Sequence, residues 1–319
     1  MHISDAIISP VVGGVGLATA AGMIRYSIKR INNHVFENKL PLMAVTGALL
    51  FALQMINFSI PGTGSSGHLS GGLLLAIILG PKLGFITMSI VLLIQALFFA
   101  DGGILAIGCN LINMGGFACF LAYPYIYSKI VSKKKNIMFA SIVSSIISVE
   151  LAAFFASLAI FLSGRIMLDF PMLLLFMLPI HLAIAVVEGV ITGSIVIYLK
   201  SQNEELIYSK EENTKTNKNL RKPILGIFVG AIIIGGLISV FASSNPDGLE
   251  WSLEKVNATI SSDRLSDFIA NLAILPDYGI RDSDSSLGTT VSGVVGSIST
   301  IVVVLVLGLL VKKRRKFND

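Results

Sequence analysis

Residues 172–199 read MLLLFMLPIHLAIAVVEGVITGSIVIYL. This stretch holds no lysine, arginine or aspartate, and only His181 and Glu188 place an imidazole or a carboxylate in it. An α-helix that crosses the hydrocarbon core of a bilayer needs about 20 predominantly apolar residues. The stretch is long enough to do so, and it therefore predicts a transmembrane helix.

Similar apolar stretches recur along the chain, and they predict the fold class. They lie near residues 6–26, 40–59, 69–80, 83–100, 106–128 and 137–163, and again near 223–242 and 290–311. The third is short, so we expect a partial span that is entered through an irregular loop. Of the 319 residues, 54% are hydrophobic and 13% are charged, against about 25% charged in soluble domains. We predict an all-α polytopic membrane protein.

The basic residues predict the orientation of these spans. If the spans alternate in direction, 20 of the 24 lysines and arginines fall on one side of the membrane. The other side receives Arg165, Lys255, Arg264 and Arg281. Because cytoplasmic loops carry an excess of lysine and arginine, we expect a multi-pass plasma-membrane protein with its N-terminus outside and its C-terminus in the cytoplasm. Basic residues placed in short runs between spans do not indicate a nucleic-acid partner.

A polar segment at residues 201–222 divides the chain. It reads SQNEELIYSKEENTKTNKNLRK and has no apolar periodicity, which is typical of a flexible linker. We predict a seven-helix module at 1–200 and a two-helix C-terminal module at 223–319, with an extracytoplasmic loop at 243–289. That loop holds eight acidic and three basic residues, which predicts a solvated loop with a weak attraction for cations.

The first two residues, Met1 and His2, can chelate a metal ion. No basic segment precedes the first apolar stretch, so we expect no cleaved signal peptide and a chain that begins at Met1 with its amine outside. That amine, the backbone nitrogen of His2 once deprotonated, and Nδ1 of the imidazole form two fused chelate rings. A fourth nitrogen would complete the planar set that Ni(II) and Cu(II) prefer and that low-spin Co(II) accepts.

The fourth nitrogen is predicted to come from His68. This residue lies in a glycine-rich segment, PGTGSSGHLSGG at residues 61–72, on the outer side between the second and third spans. Glycines permit a tight turn and a close approach of the backbone. Ionisable residues at membrane depth are functional candidates by default, so we predict a metal site formed by Met1, His2 and His68. We further expect the acidic outer loop to contact the seven-helix module near His68 and to assist loading of the ion.

Other polar residues are candidates to support this site through hydrogen bonds to its ligands. They are Asp5, Asp101, Asn110 and Asn113. Asp101 is followed by two glycines at the outer end of the fourth span, where it is well placed to orient a metal-binding loop.

Two other interpretations of the sequence remain open. Gly64-Ser65-Ser66-Gly67 has the form of an intramembrane serine-protease nucleophile, with Ser66 attacking and His181 as its base. A metal sensor or scaffold in the membrane would carry nitrogen ligands without a transport role. The sequence contains no phosphate-binding P-loop motif, so we do not expect this chain to hydrolyse ATP.

Small residues recur at every fourth position on two of the predicted spans. They are Ala44, Ala48 and Ala52 on the second span, and Gly14, Ala18 and Gly22 on the first. This spacing lets helices approach closely, within one chain or between chains. Internal packing is the simpler interpretation for the second span, and the stripe on the first is a candidate partner face.

Several of these segments together resemble a known family. The chain resembles the substrate-capture M components (CbiM and NikM) of energy-coupling factor transporters for cobalt and nickel, fused to the small N component with its PDGLE motif. The segments that carry the resemblance are MHISDA at 1–6, PGTGSSGHLSGG at 61–72, LIQALFFADGGILAIGCNLINMG at 93–115, HLAIAVVEGVITG at 181–193, NPDGLEWSLEKV at 245–256 and LPDYGI at 275–280.

The resemblance implies a function for the metal site. The chain would be the substrate-binding membrane component of an ABC transporter that imports Co²⁺ or Ni²⁺, without a permanent cofactor. Met1 through its amine, His2 through its backbone nitrogen and imidazole, and His68 would supply four nitrogens. The sequence does not choose between cobalt and nickel, since both accept planar nitrogen ligands.

The resemblance also implies partners in the membrane and in the cytoplasm. A transmembrane coupling subunit would dock on the face formed by Ala44, Ala48 and Ala52, among the lipids that surround the chain. Two cytoplasmic ATPase subunits would hydrolyse ATP, so this chain itself would not be an enzyme.

Overall fold

The computed structural model describes residues 2–133, 136–209, 220–258, 264–280 and 286–316. In this part of the chain, eight helices are long and apolar enough to cross a membrane. The remaining regular structure consists of short helices and one two-stranded hairpin. The prediction of an all-α polytopic membrane protein is confirmed.

The elements follow one another along the chain with short connections. The first module holds α1 (Pro10–Lys29), α2 (Asn33–Gln54), β1 (Phe58–Ile60), β2 (Ser65–Gly67), α3 (Gly72–Leu79), α4 (Pro81–Phe98), α5 (Ile107–Ser132), α6 (Ile137–Ser163) and α7 (Phe170–Gln202). The C-terminal module holds α8 (Arg221–Gly236), α9 (Gly248–Lys255), α10 (Arg264–Leu272) and α11 (Ser286–Lys316). Within α5, the hydrogen bonds take the wider π-helical pattern over Ile112–Gly116 and Ala118–Tyr127.

Side chains define where the long helices begin. Ser9, Asn32, Asn136 and Asp169 each accept a hydrogen bond from a backbone N–H in the first turn of α1, α2, α6 and α7, respectively. The first N–H groups of a helix have no partner within it, so these caps satisfy donors that would otherwise be exposed to lipid or buried unpaired.

The short third span is an irregular loop followed by a half-length helix. β1 and β2 pair antiparallel, with Ser59 opposite Ser66, and α3 then adds eight residues, all of them buried. Gly71 and Gly80 flank α3 with φ of +72° and +84°, a conformation that favours glycine. The structure therefore has a partial span where the sequence predicted one.

The C-terminal helices α8 and α11 cross at a pair of glycines and pack on α2. A Cβ added to Gly293 of α11 would overlap the carbonyl oxygen of Gly235 in α8, so the two backbones are in direct contact. The Cβ position of Gly235 lies 3.3 Å from the Cβ of Ala52. Small residues on all three helices thus allow this close packing.

This packing corrects the docking face that the resemblance implied. Ala44, Ala48 and Ala52 are exposed by 2%, 0% and 0%. Because the fused C-terminal helices cover α2, this stripe serves internal packing and is not available at the surface of the structure.

The other small-residue stripe faces outward. Gly14, Ala18 and Gly22 of α1 are exposed, and a Cβ added to Gly14 or Gly22 would meet no atom within 4 Å. The opposite face of α1 packs closely on α5, where the Cβ position of Gly16 lies 2.6 Å from Sγ of Cys109.

The first part of the predicted linker is ordered against the first module. α7 extends to Gln202, and the backbone N–H of Tyr208 donates to the carbonyl oxygen of Ile77 at 2.9 Å. The phenol ring of Tyr208 covers Gly80. Residues 210–219 of the predicted linker lie outside the described residues.

The glycine crossing generates a stability prediction. The substitution Gly293→Ala forces α8 and α11 apart, and we expect it to lower the free energy of unfolding by about 1–3 kcal/mol, as overpacking of a close contact does. Thermal unfolding of the purified protein in detergent measures this. The matched control is Gly230→Ala on α8, where an added Cβ meets nothing within 4 Å; an equal loss of stability in both variants would contradict the packing described.

Candidate metal centre

Two polar side chains hold the N-terminal segment against the loop that precedes α5. Asn110 accepts a hydrogen bond from the N–H of Ile3 at 2.8 Å and donates one to the carbonyl oxygen of Ile3 at 3.0 Å. Asp5 accepts from the N–H groups of Ile104 at 3.0 Å and Ala106 at 2.9 Å. The segment around Ile3 and Asp5 is therefore fixed within the protein, beside the C-terminal end of α4.

His2 is buried beside the second histidine. Its ring stacks on that of His68, with 5.0 Å between the centroids and 20° between the planes. Its Nδ1 lies 3.3 Å from Oδ1 of Asp101, and its buried Nε2 has no hydrogen-bond partner among the described residues. The chelate expected from the sequence uses Nδ1, so the ring must turn away from Asp101 to form it. Met1 lies outside the described residues.

The loop that carries His68 is anchored by a carboxylate from α7. Glu188 accepts hydrogen bonds from the N–H and hydroxyl of Ser70, each at 2.8 Å, and from the N–H of Gly71 at 3.1 Å. Gln54 donates to the carbonyl oxygen of Ser70 at 2.9 Å. These contacts fix a backbone that has no regular structure, and they keep His68 in place.

Both imidazoles are in the protonation state that a metal ion requires. Burial lowers the pKa of His2 and of His68 to about 3, because a charged ring loses its hydration inside the protein. Both rings are therefore neutral at physiological pH. A neutral imidazole keeps a nitrogen lone pair with which it can bind a metal.

The C-terminal module closes over this site. Ser66 donates through its N–H to the carbonyl oxygen of Pro246 at 2.8 Å and through its hydroxyl to that of Asn245 at 2.8 Å. The indole of Trp251 donates to the carbonyl oxygen of Thr63 at 3.0 Å. Residues 245–251 thus bind along the His68 loop, so the expected contact with the first module is present, although this part of the loop is packed and not solvated.

Two residues of the C-terminal module reach the histidines. Asp247 places Oδ2 at 3.8 Å from Nε2 of His68. The hydroxyl of Tyr278 donates to Oδ2 of Asp101, with 2.5 Å between the oxygens, and Asp101 in turn faces His2. Burial raises the pKa of the Asp101 carboxyl, which the hydrogen bond from Tyr278 opposes.

Sequence reasoning missed the part that Asp247 and Tyr278 play. Both stood in segments quoted for the family resemblance, but Asp247 was counted only as one of eight acids in the outer loop. A local signal was present for Asp247, because Asp247 and Glu250 form a capping box at the start of α9. A capped helix marks a folded segment rather than a solvated one.

The predicted supporting residues take different positions. Asp101 contacts His2, whereas Asp5 and Asn110 bind the backbone beside it. Asn113 is buried one turn further along α5, and its side-chain nitrogen has no hydrogen-bond partner among the described residues.

The pair needed for a serine protease is not assembled. The hydroxyl of Ser66 donates to the carbonyl oxygen of Asn245, and Nδ1 of His181 is 2.7 Å from the carbonyl oxygen of Met177. Nε2 of His181 has no hydrogen-bond partner among the described residues. A base must lie within hydrogen-bond reach of its nucleophile, and His181 does not reach Ser66.

Side chains alone do not complete a metal site here. Within the described residues, no group of three or more histidine, cysteine, aspartate or glutamate side chains is arranged to hold a metal ion. A centre built on His2 and His68 must therefore draw further donors from elsewhere, and backbone and terminal nitrogens are the donors that the sequence predicts.

Fold and site together define a polytopic membrane protein with two stacked, buried imidazoles that a second module covers. Residues 2–206 match the family model CbiM, described as a cobalt uptake substrate-specific transmembrane region, and residues 221–313 match the PDGLE domain. The chain belongs to the CbiM family and carries a fused PDGLE module, as the sequence resemblance indicated.

Relatives share this architecture over nearly the full chain. A putative fused nickel transport protein NikMN of Archaeoglobus fulgidus is 32% identical over 308 residues, covering 97% of each chain. A probable fused nickel transport protein LarMN of Lactiplantibacillus plantarum is 27% identical, again covering 97% of each. A crystal structure of a truncated transition metal transporter matches 63% of this chain and 99% of its own, with a TM-score of 0.57 and 32% identity.

The carboxylate anchor of the His68 loop generates a prediction. The substitution Glu188→Gln replaces one of the two accepting carboxylate oxygens by an NH2 group, which cannot accept hydrogen bonds from Ser70 and Gly71. We expect the free energy of unfolding to fall by about 1–3 kcal/mol. Thermal unfolding and amide hydrogen exchange at residues 68–72 measure this. Glu150→Gln on α6 is the control, because Oε1 of Glu150 is buried without a hydrogen-bond partner among the described residues. Exchange at 68–72 that stays at the wild-type rate in Glu188→Gln would refute the anchor.

Proposed function

We propose that this chain is the substrate-binding membrane component of an energy-coupling factor ABC transporter that imports Ni²⁺ or Co²⁺. Membership in the cobalt-uptake family and the nickel and cobalt transport proteins among its relatives support metal transport. The observation that carries the proposal is the pair of stacked, neutral imidazoles of His2 and His68, buried beside the start of the chain.

The proposed ligand set has four nitrogens. Met1 provides its amine, His2 its backbone nitrogen and its imidazole, and His68 its imidazole. Asn110 and Asp5 hold the segment that follows His2, so the backbone beside the site is positioned before the ion arrives, while the ring of His2 has to turn away from Asp101 to bind it. A set of four nitrogen donors favours an ion that accepts planar coordination, and both nickel and cobalt do so.

The proposed orientation places this site at the outer face. Asp101 follows the C-terminal end of α4, whereas Lys82 lies in its first turn and donates to the carbonyl oxygen of Arg30 at 3.0 Å. The basic residues therefore gather at the end of α4 remote from the histidines. Under the positive-inside rule this end is cytoplasmic, and the ion is captured from outside.

Transport in this proposal needs other chains. A transmembrane coupling subunit and two cytoplasmic ATPase subunits would supply the movement and the hydrolysis of ATP. Because Ala44, Ala48 and Ala52 are covered, we assign the coupling contact to the outward stripe of α1, where small residues leave room for a partner helix.

The C-terminal module is proposed to assist capture. Its loop binds along the His68 segment and reaches both histidines through Asp247 and Tyr278. Because this segment lies beside the proposed ligands, it would affect loading of the ion directly. An acidic surface far from the site would act only by attracting cations.

Variants of the ligands test the proposed site. We expect His2→Ala, His68→Ala, or one residue added before Met1 to abolish high-affinity binding of Ni²⁺ and Co²⁺, because each removes a donor or blocks the amine. Isothermal titration of the purified full chain measures binding. His34→Ala is the control, since His34 is exposed at the start of α2. Binding of Ni²⁺ or Co²⁺ with wild-type affinity by the His2 and His68 variants would contradict the proposal.

A second experiment tests transport and the role of the outer loop. In cells that lack the native gene, the wild-type chain should restore uptake of Ni²⁺ or Co²⁺, and a chain without residues 245–285 should reach the membrane but fail to restore it. Uptake of radiolabelled ions, with immunoblots of the membrane fraction, measures both. Uptake that persists at the normal level without the gene would favour a sensor or scaffold, and full uptake by the deletion variant would refute the role of the loop.

A further inference from the structure

We propose that Asp247, from the C-terminal module, supplies the counter-charge for the divalent ion captured at His2 and His68. The inference rests on the proposed function and adds to it a residue of the second module. Capture would then depend on a composite site, with nitrogen donors from one module and negative charge from the other.

The geometry of Asp247 divides its two oxygens between two tasks. Oδ1 accepts hydrogen bonds from the N–H groups of Leu249 and Glu250, each at 2.9 Å, and so caps α9. Oδ2 lies 3.8 Å from Nε2 of His68. The side chains of Asp247 and His68 are exposed by 16% and 7%, so the carboxylate faces the site from a partly buried position.

The charge of the captured ion requires a negative charge near the ligands. In the proposed set, the imidazoles and the amine bind as neutral donors, and the deprotonated backbone nitrogen of His2 carries one negative charge. A divalent ion in this set keeps a net charge of about +1. A buried charge without a partner is costly, and a carboxylate held close to the ligands offsets that cost.

The neighbouring acids differ from Asp247 in their position. Glu188 accepts hydrogen bonds from Ser70 and Gly71. Asp101 accepts from the hydroxyl of Tyr278 and faces His2. Glu254 and Asp267 of the outer loop are exposed, where solvent and salt screen their charge.

The backbone beside Asp247 is fixed to the loop that carries His68. Ser66 and Asp247 form an isolated parallel β-bridge, and Ser66 donates hydrogen bonds to the carbonyl oxygens of Asn245 and Pro246. The carboxylate therefore reaches the site only when the C-terminal module is docked. Docking of the module and the electrostatics of capture are coupled through this contact.

The test is the isosteric substitution Asp247→Asn in the full chain. Asparagine caps helices about as well as aspartate, so α9 keeps its cap while the charge is lost. We expect Ni²⁺ affinity, measured by isothermal titration, to fall about ten- to a hundredfold, the range found for residues that support metal ligands. Glu254→Gln and Asp267→Asn remove the same charge from exposed positions and should leave affinity unchanged.

Asp247→Glu restores the charge and should recover part of the lost affinity, and thermal unfolding without metal checks that each variant is folded. If Asp247→Asn proves to be destabilised, the comparison with Asp247→Glu decides. A Ni²⁺ affinity of Asp247→Glu that is no higher than that of Asp247→Asn then overturns the inference. Equal or tighter nickel binding by Asp247→Asn overturns it as well, as does an equal loss in Glu254→Gln, which would indicate a diffuse field. Absence of binding by the wild type refutes the proposed function itself, whereas unaltered binding by Asp247→Asn beside a functional wild type refutes this inference alone.

Discussion

The loop that carries His68 runs between membrane helices without regular structure, and its polar backbone must be satisfied inside the protein. In the hydrocarbon region no water is available to bind exposed N–H and carbonyl groups, so irregular backbone survives only where protein surrounds it. The hairpin of β1 and β2 satisfies part of it, and Glu188 and Gln54 bind Ser70 and Gly71. The position of His68 depends on this set of contacts.

The same constraint explains why the two modules form one unit. Strand β2 of the His68 loop finds hydrogen-bond partners in the C-terminal module, where Ser66 donates to the carbonyl oxygens of Asn245 and Pro246. Helices α8 and α11 meanwhile pack on α2 at the glycine crossing. A segment that is covalently fused to the first module thus completes the backbone hydrogen bonding of that module and faces its histidines.

Strained backbone accompanies these contacts. Ala100, Asp277 and Tyr278 have φ of +55°, +50° and +58°, in the left-handed region that costs energy for residues other than glycine. They stand on both sides of the hydrogen bond from Tyr278 to Asp101. Residues held in such conformations tend to cluster at functional sites, where the surrounding structure maintains them.

Apolar length and the positions of charge predicted most of the fold. The long spans, the partial third span and the fused architecture follow from hydrophobic stretches and from quoted motifs. The packing of Gly235 against Ala52 could not be predicted in this way. A stripe of small residues indicates that another helix packs closely, but it does not indicate which helix.

The sequence predicted several residues of the candidate site, but it predicted few of the contacts between them. His2, His68 and Asp101 come together in the structure, as chelation chemistry and the glycine-rich loop suggested. Asp247 and Tyr278 were missed as site residues, since their contacts join segments more than 170 residues apart in the chain. Sequence periodicity carries no information on such long-range pairs.

X-ray absorption spectroscopy at the nickel edge of the loaded full chain tests the central claim most directly. The account predicts a shell of four nitrogen donors in planar geometry, with the outer-shell scattering of two imidazoles. A six-coordinate shell dominated by oxygen, or one without imidazole scattering, would contradict it.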